Sequence, residues 1–134
     1  MKKTGTLNSH LSRVIASLGH TDRLVICDSG LPIPRHAEVV DLALTRNIPT
    51  FLDTVRVVME ELQVESAVVA SEMETVNDPT YRQLKTMLKG IDIRKVPHEE
   101  FKTLTANGNN VSFVRTGEAT PYANVILIAG VTFD

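Results

Sequence analysis

The apolar run Leu24-Val25-Ile26-Cys27, introduced by Arg23, constrains the fold of this 134-residue chain more than any other stretch. It is too short for a buried helix and offers no polar residue to turn toward water. It therefore predicts a strand over 23–27 that is covered on both faces. Residues 67–70 and 125–129 repeat the pattern. Strands buried on both sides need helices above and below the sheet.

Those helices are legible between the strands. Asn8 offers an N-cap ahead of Leu11, Val14, Ile15 and Leu18, whose spacing predicts a helix of about three turns, with Gly19 as its stop. Asp53 is the expected N-cap of a second helix that buries Val55, Val58, Met59 and Leu62. Glu72, Glu74, Asn77 and Asp78 read as a polar turn. Pro79 suits the start of a third helix, with Tyr81, Leu84, Met87 and Leu88 inside and Gly90 at its end. Further strands are expected over 39–44, over 91–96 at an edge, and over 111–115 by alternation. Pro97 opens a short helical segment that carries Lys102 and Leu104. Residues 28–36, 47–49, 107–110 and 116–124 read as loops and turns. The expected architecture is a single domain over 1–134, an α/β/α layered fold with a mixed, largely parallel sheet.

The totals narrow the function. A hydrophobic content of 43% and a charged content of 22% are those of a folded globular domain. A net charge of −2 supplies no basic surface for nucleic acid or membrane. The one cysteine, Cys27, precludes an internal disulfide and fits a reducing cytoplasm. Met1-Lys2-Lys3 is followed by no apolar signal region, and no run approaches the roughly 18 residues of a membrane span. The expectation is a cytoplasmic protein.

Several chemistries have no residues here to carry them. Neither a dinucleotide-type nor a P-loop glycine pattern occurs. His10, His20, His36 and His98 are scattered, so a metal is not expected. The G-x-S-x-G elbow is missing, and Cys27 inside an apolar strand reads as a core residue. Three polar clusters remain beside strand or helix ends. The first holds His20 and Asp28, the second is the 97–102 segment around His98, and the third is 115–124 with Tyr122 and Asn124. Histidine titrates near neutral pH and suits positioned proton transfer, while Tyr and Asn beside a strand suit a polyol. Each cluster alone is better explained by helix caps and surface loops.

Together the clusters resemble a known family. Gly5-x-Leu-Asn-Ser-His10-Leu, Leu18-Gly-His20-Thr-Asp22, Asp28-x-Gly-Leu-Pro-x-Pro34, His98-Glu-Glu-Phe-Lys102, Arg115-Thr-Gly-Glu-x-Thr-Pro-Tyr122-Ala-Asn124 and Ala129-Gly-Val-Thr-Phe133 are similar, in order and spacing, to the bacterial sugar mutarotases. That family includes the D-ribose pyranases and the fucose mutarotases. The resemblance implies an isomerase that interconverts pyranose and furanose forms of D-ribose and supplies the furanose for ribose catabolism, with no cofactor. It implies His20 as the proton donor, and Asp28, His98, Tyr122, Ala123 and Asn124 as sugar-binding residues, with Lys102 as a further contact. It also implies a ring-shaped homo-oligomer, a homodecamer, with sites completed at subunit contacts. The alternatives are a mutarotase of a related sugar such as L-fucose, or a non-catalytic sugar-binding protein.

Asp28 beside His20 would fix the imidazole tautomer or hold a sugar hydroxyl. Opening a cyclic hemiacetal needs only a proton delivered to the ring oxygen and one removed from the anomeric hydroxyl. General acid–base help of about 10²–10⁴-fold is enough for such a step.

Overall fold

A computed structural model describes residues 1–133. The strands are β1 Arg23–Cys27, β2 Glu38–Asp41, β3 Val64–Ala70, β4 Asp92–Val96, β5 Val111–Arg115 and β6 Val125–Ala129. They form one sheet in the order β2-β5-β1-β6-β3-β4. Within it β1, β5 and β2 are parallel, as are β3 and β4. β6 runs antiparallel to both β1 and β3, joining the two parallel groups. The mixed, largely parallel sheet is as expected.

The helices are α1 Ser9–Ser17, α2 Phe51–Met59, α3 Ser71–Val76, α4 Asp78–Met87 and α5 His98–Ala106. Side-chain alternation along β1 decides which helices cover which face. Leu24 and Ile26 meet Leu11, Val14 and Ile15 of α1, Phe51, Val55 and Val58 of α2, Met73 of α3 and Leu84 of α4 in one core. Val25 and Cys27 point the other way, into a smaller core with Leu31 and Phe101 of α5. The layers are thus α/β/α but uneven, four helices on one face and one on the other. All four apolar residues of β1 are fully buried, each worth about 1.5–3 kcal/mol relative to exposure. No helix among the described residues is long and apolar enough to cross a membrane.

Local details differ from the sequence expectation in instructive ways. Asn8 does cap α1, its side chain accepting from the Leu11 amide. The helix ends at Leu18, whose backbone is extended. Gly19 is no left-handed cap, and the left-handed residue is Thr21, at φ 71°. Asp53 is not the N-cap of α2. Thr50 holds that place and accepts from the Asp53 amide, because the helix must begin early enough to bury Phe51, which is 0% exposed.

The expected turn around Glu72 and Glu74 is the short helix α3, required to bring Met73 into the core. The strand expected over 39–44 ends at Asp41. Its partner β5 ends at Arg115, so the Leu42 amide bonding to the Arg115 carbonyl is the last rung. Beyond it the chain turns back on itself through Thr45 and Ile48.

Candidate active site

Five parallel strands share one carboxyl edge, and β6 begins at that same edge. Ligands of open α/β sheets collect there. Asp28 directly follows β1, Glu72 and His98 lie in the segments after β3 and β4, and Tyr122, Ala123 and Asn124 lead into β6.

Asp28 is the most firmly held of these. Its Oδ1 accepts from the Gly30 and Leu31 amides, both at 2.9 Å, a closed Asx turn of the kind the Ser29-Gly30-Leu31-Pro32 sequence favours. Asn124, 1% exposed, grips the same residue at two points. Its Oδ1 accepts from the Asp28 amide at 2.9 Å, and its Nδ2 donates to Asp28 Oδ2 at 3.3 Å. Burial pushes the Asp28 carboxyl above its ordinary 3.8, against the opposing pull of the Gly30 and Leu31 amides, the Asn124 amide and the nearby His98. A carboxylate costly to desolvate yet held open is suited to accept hydroxyl protons in hydrogen bonds.

His98 opens α5, where no residue of its own helix supplies a side-chain cap. Glu72 caps it from α3 instead, both carboxylate oxygens accepting from the His98 amide at 3.0 Å. Burial alone would raise the Glu72 carboxyl, but the His98 amide, its own backbone amide and the Ser71 hydroxyl hold it below the ordinary value. The imidazole lies edge-on to Tyr122 at 5.0 Å and stacks on Phe101 at 6.3 Å. Its Nδ1 is buried with no hydrogen-bond partner among the described residues, a costly placement of the sort that accumulates at functional sites. Tyr122 itself has φ 59°, a left-handed conformation that bulky residues rarely adopt.

The loop over 116–124 is largely buried and hydrogen-bonded rather than a solvated surface segment. Thr116 is 0% and Glu118 8% exposed. Glu118 accepts from the Phe51 amide through Oε1 and from the Thr120 hydroxyl through Oε2. Asn77 donates to the Thr120 hydroxyl and the Pro121 carbonyl. Ala123 packs in the core, so only its main chain is free to meet a ligand. Lys102 pairs with Glu99 of its own helix at 2.9 Å. The Cys27 thiol is pushed up to about 12 by burial and then by the Asp28 charge, which removes it as a nucleophile. No group of three His, Cys, Asp or Glu among the described residues is placed to hold a metal ion.

His20 is not beside Asp28. It precedes β1, whereas Asp28 follows it. Five residues at about 3.3 Å each hold the two ends of that strand roughly 16 Å apart. Asp28 therefore cannot orient the His20 ring of its own chain. At this opposite edge the exposed His20 ring meets Glu65, Nε2 to Oε2 at 2.9 Å. The turn carrying it is closed by Gly19 donating to Asp22 Oδ2, by Asp22 donating to the Gly19 carbonyl, and by Thr21 donating to the Ala129 carbonyl. Sequence reasoning passed over Glu65 and Glu72, the acids that touch the two histidines. It had one usable sign of the separation, since His20 and Asp28 flank a single strand.

The geometry finds its counterpart among known proteins. The chain is 56% identical over 133 residues to a D-ribose pyranase of Coprothermobacter proteolyticus, covering 99% of this chain and 100% of that one. It is 52% identical over 141 residues to a D-ribose pyranase of Vibrio campbellii, with 99% and 100% covered. The solved structure of Bacillus subtilis RbsD complexed with D-ribose superposes with a TM-score of 0.91 at 46% identity, over 99% of this chain and 100% of that one. The model of the RbsD / FucU transport protein family matches residues 1–132. Whole-length identity of this order, on the same fold, makes this chain a member of the RbsD / FucU family.

Proposed function

We propose that this protein is a D-ribose pyranase, which opens the ring of ribopyranose and recloses it as the furanose. The observation that carries the reading is the carboxylate edge. Asp28 is fixed by three donors, one of them Asn124, with His98 nearby and Tyr122 edge-on to the His98 ring. Such a rigid set of hydroxyl-binding groups suits a polyol, and the relatives at 46–56% identity are named for ribose.

In this mechanism Asp28, His98, Tyr122, the Ala123 main chain and Asn124 hold the sugar. His20 gives a proton to the ring oxygen as the bond from that oxygen to the anomeric carbon breaks. The anomeric hydroxyl releases its proton to water as the aldehyde forms. Rotation and attack by a different hydroxyl, with the proton movements reversed, yield the other ring size.

One chain keeps His20 and Asp28 at opposite ends of β1, so the catalytic site is built between copies. The His20 edge of one chain meets the Asp28 edge of the next. Such a contact joins unlike surfaces, is therefore head-to-tail, and closes into a ring where the rotation between copies divides a full turn. A homodecamer of stacked rings satisfies it, and the sheet face covered by α5 alone leaves surface for further contacts. The assembly acts on a small cytoplasmic sugar.

Mixing two inactive variants tests both claims. His20→Ala should lower ring exchange by about 10²–10⁴-fold while ribose binding weakens far less. Asp28→Asn should impair binding and rate together. When the two are unfolded and refolded in equal amounts, about one contact in four unites an intact His20 with an intact Asp28. Saturation-transfer NMR of ribose should then show about a quarter of wild-type exchange. No recovery would refute the shared site, and full activity of His20→Ala would refute the role of His20.

A further inference from the structure

We propose that Glu65 is the positioning residue of His20, holding the Nε2 proton so that Nδ1 is the nitrogen that exchanges a proton with the sugar. This rests on the reading of His20 as the proton-transfer group.

The chain goes to some length to place this carboxylate. Glu65 sits in β3, where the pairing with β6 slips. Val64 faces Ala129 and Ser66 faces Ile128, leaving Glu65 as the extra residue of a β-bulge. Bulges re-aim a side chain that regular pairing would send elsewhere. The residue just after β6 makes room for it, since a Cβ on Gly130 would lie 3.2 Å from Glu65 Cβ. On the other side the His20 turn is pinned to the same strand, β6, through Thr21 and Ala129. Thr21 is held at φ 71° to do so. Histidine and glutamate thus reach each other from two elements, each fixed to the end of β6.

Stability does not account for the pair. Its side chains are 52% and 43% exposed, and exposed pairs contribute little. Chemistry does account for it. An ionised carboxylate only accepts hydrogen bonds, so Nε2 must carry a proton in the contact at 2.9 Å. That leaves Nδ1 as the nitrogen that is protonated in the imidazolium and bare in the neutral ring. When Nδ1–H passes its proton to the sugar ring oxygen, the Nε2–H stays with Glu65. The ring then regains its proton on Nδ1 during reclosure. The same nitrogen works in both directions without a flip of the ring.

The test uses the full-length assembled protein with Glu65→Ala, Glu65→Gln and His20→Ala. Carboxylate partners that orient metal-bound histidines are worth about 10–100-fold in activity, and the same orienting role sets the scale here. Glu65→Ala should therefore lower kcat for ribose ring exchange by about that factor, with KM within about threefold. Glu65→Gln, which keeps an acceptor without charge, should fall between Glu65→Ala and wild type. Thermal melting should change little in both, since the pair is exposed within its own chain and adds little to its folding.

Nitrogen-15 spectra of the neutral His20 ring read the contact directly. Wild type should show the proton on Nε2, and Glu65→Ala a mixture of tautomers. A wild-type ring protonated on Nδ1, or an unchanged kcat in Glu65→Ala, would overturn the proposal. If His20→Ala keeps its rate, the underlying reading of His20 fails instead, and the nitrogen spectra show separately whether the contact exists.

Discussion

Asn124 provides the sharpest stability test, because its amide is spent entirely on one neighbour. Replacing it by Ala removes the Nδ2 bond to Asp28 Oδ2, which, with a charged acceptor, is worth about 1.5–3 kcal/mol. It also strips the Asp28 amide of its partner, at about 1–3 kcal/mol for an orphaned buried donor. Asp28 is only half-buried, so water replaces part of both losses, and about 2–4 kcal/mol remains. With an unfolding entropy of about 2.1 cal/mol/K per residue, the melting temperature should fall by roughly 7–14 °C. The comparison is made at equal protein concentration because assembly is linked to stability.

Asn124→Asp sharpens the test. It keeps an acceptor for the Asp28 amide but sets one carboxylate oxygen against another at the present 3.3 Å. At an effective dielectric of 20 the repulsion is about 5 kcal/mol, relieved when the pair shares a proton. The Asp variant should therefore recover toward wild type as pH falls from 7 to 5, while the Ala variant should not. An Ala variant melting within about 2 °C of wild type, together with a pH-independent Asp variant, would refute the two-point grip.

Other expectations follow from single features. Asp28 titrates higher in the folded chain, chiefly through burial. The stability contributed by its neutral form is complete below 3.8 and is lost as pH rises through the raised folded value. Wild type should therefore lose stability relative to Asp28→Ala over that window, seen as a changing difference in melting temperature. Gly117→Ala would bring a Cβ to 2.3 Å from the Thr45 carbonyl and 2.6 Å from the Ile48 carbonyl. Main chain cannot yield cheaply, so a loss of about 1–3 kcal/mol or more in urea unfolding is expected. Thr50→Ala removes the α2 cap and should cost about 1 kcal/mol by the same assay. Cys27, buried and titrating near 12, should resist a thiol reagent at pH 8 until the protein unfolds.

The elements read most accurately from sequence were those whose identity was set by burial on both faces. β1, β5 and β6 span the residues expected, since an unbroken or alternating apolar run leaves little choice. Misreadings came where tertiary contacts overrode local signals. Thr50 and Asp53 are both good capping residues, and only the need to bury Phe51 decides between them. Residues 71–76 look polar, yet one side chain, Met73, is wanted by the core and forms a helix around itself. Asn124 bonds Asp28, His98 lies near it, and Tyr122 packs on the His98 ring, because each borders the same sheet edge. Glu65 was illegible because its direction is set by a bulge, and a bulge depends on how two strands pair.

The antiparallel strand β6 has a consequence for how the molecule comes into being. It lies between β1 and β3, so the group β2-β5-β1 and the group β3-β4 have no common ladder until residues 125–129 arrive. In chain order those residues come after the other five strands. A chain lacking residues 125–129 would carry two half-sheets with raw inner edges, the kind that pair with strangers. The same strand anchors Asp28 through Asn124 at its head and the His20 turn through Ala129 at its tail. Docking of β6 thereby closes the sheet and sets both edges in one event. Quality control by proteolysis should thus discriminate sharply between chains that end before this strand and chains that contain it.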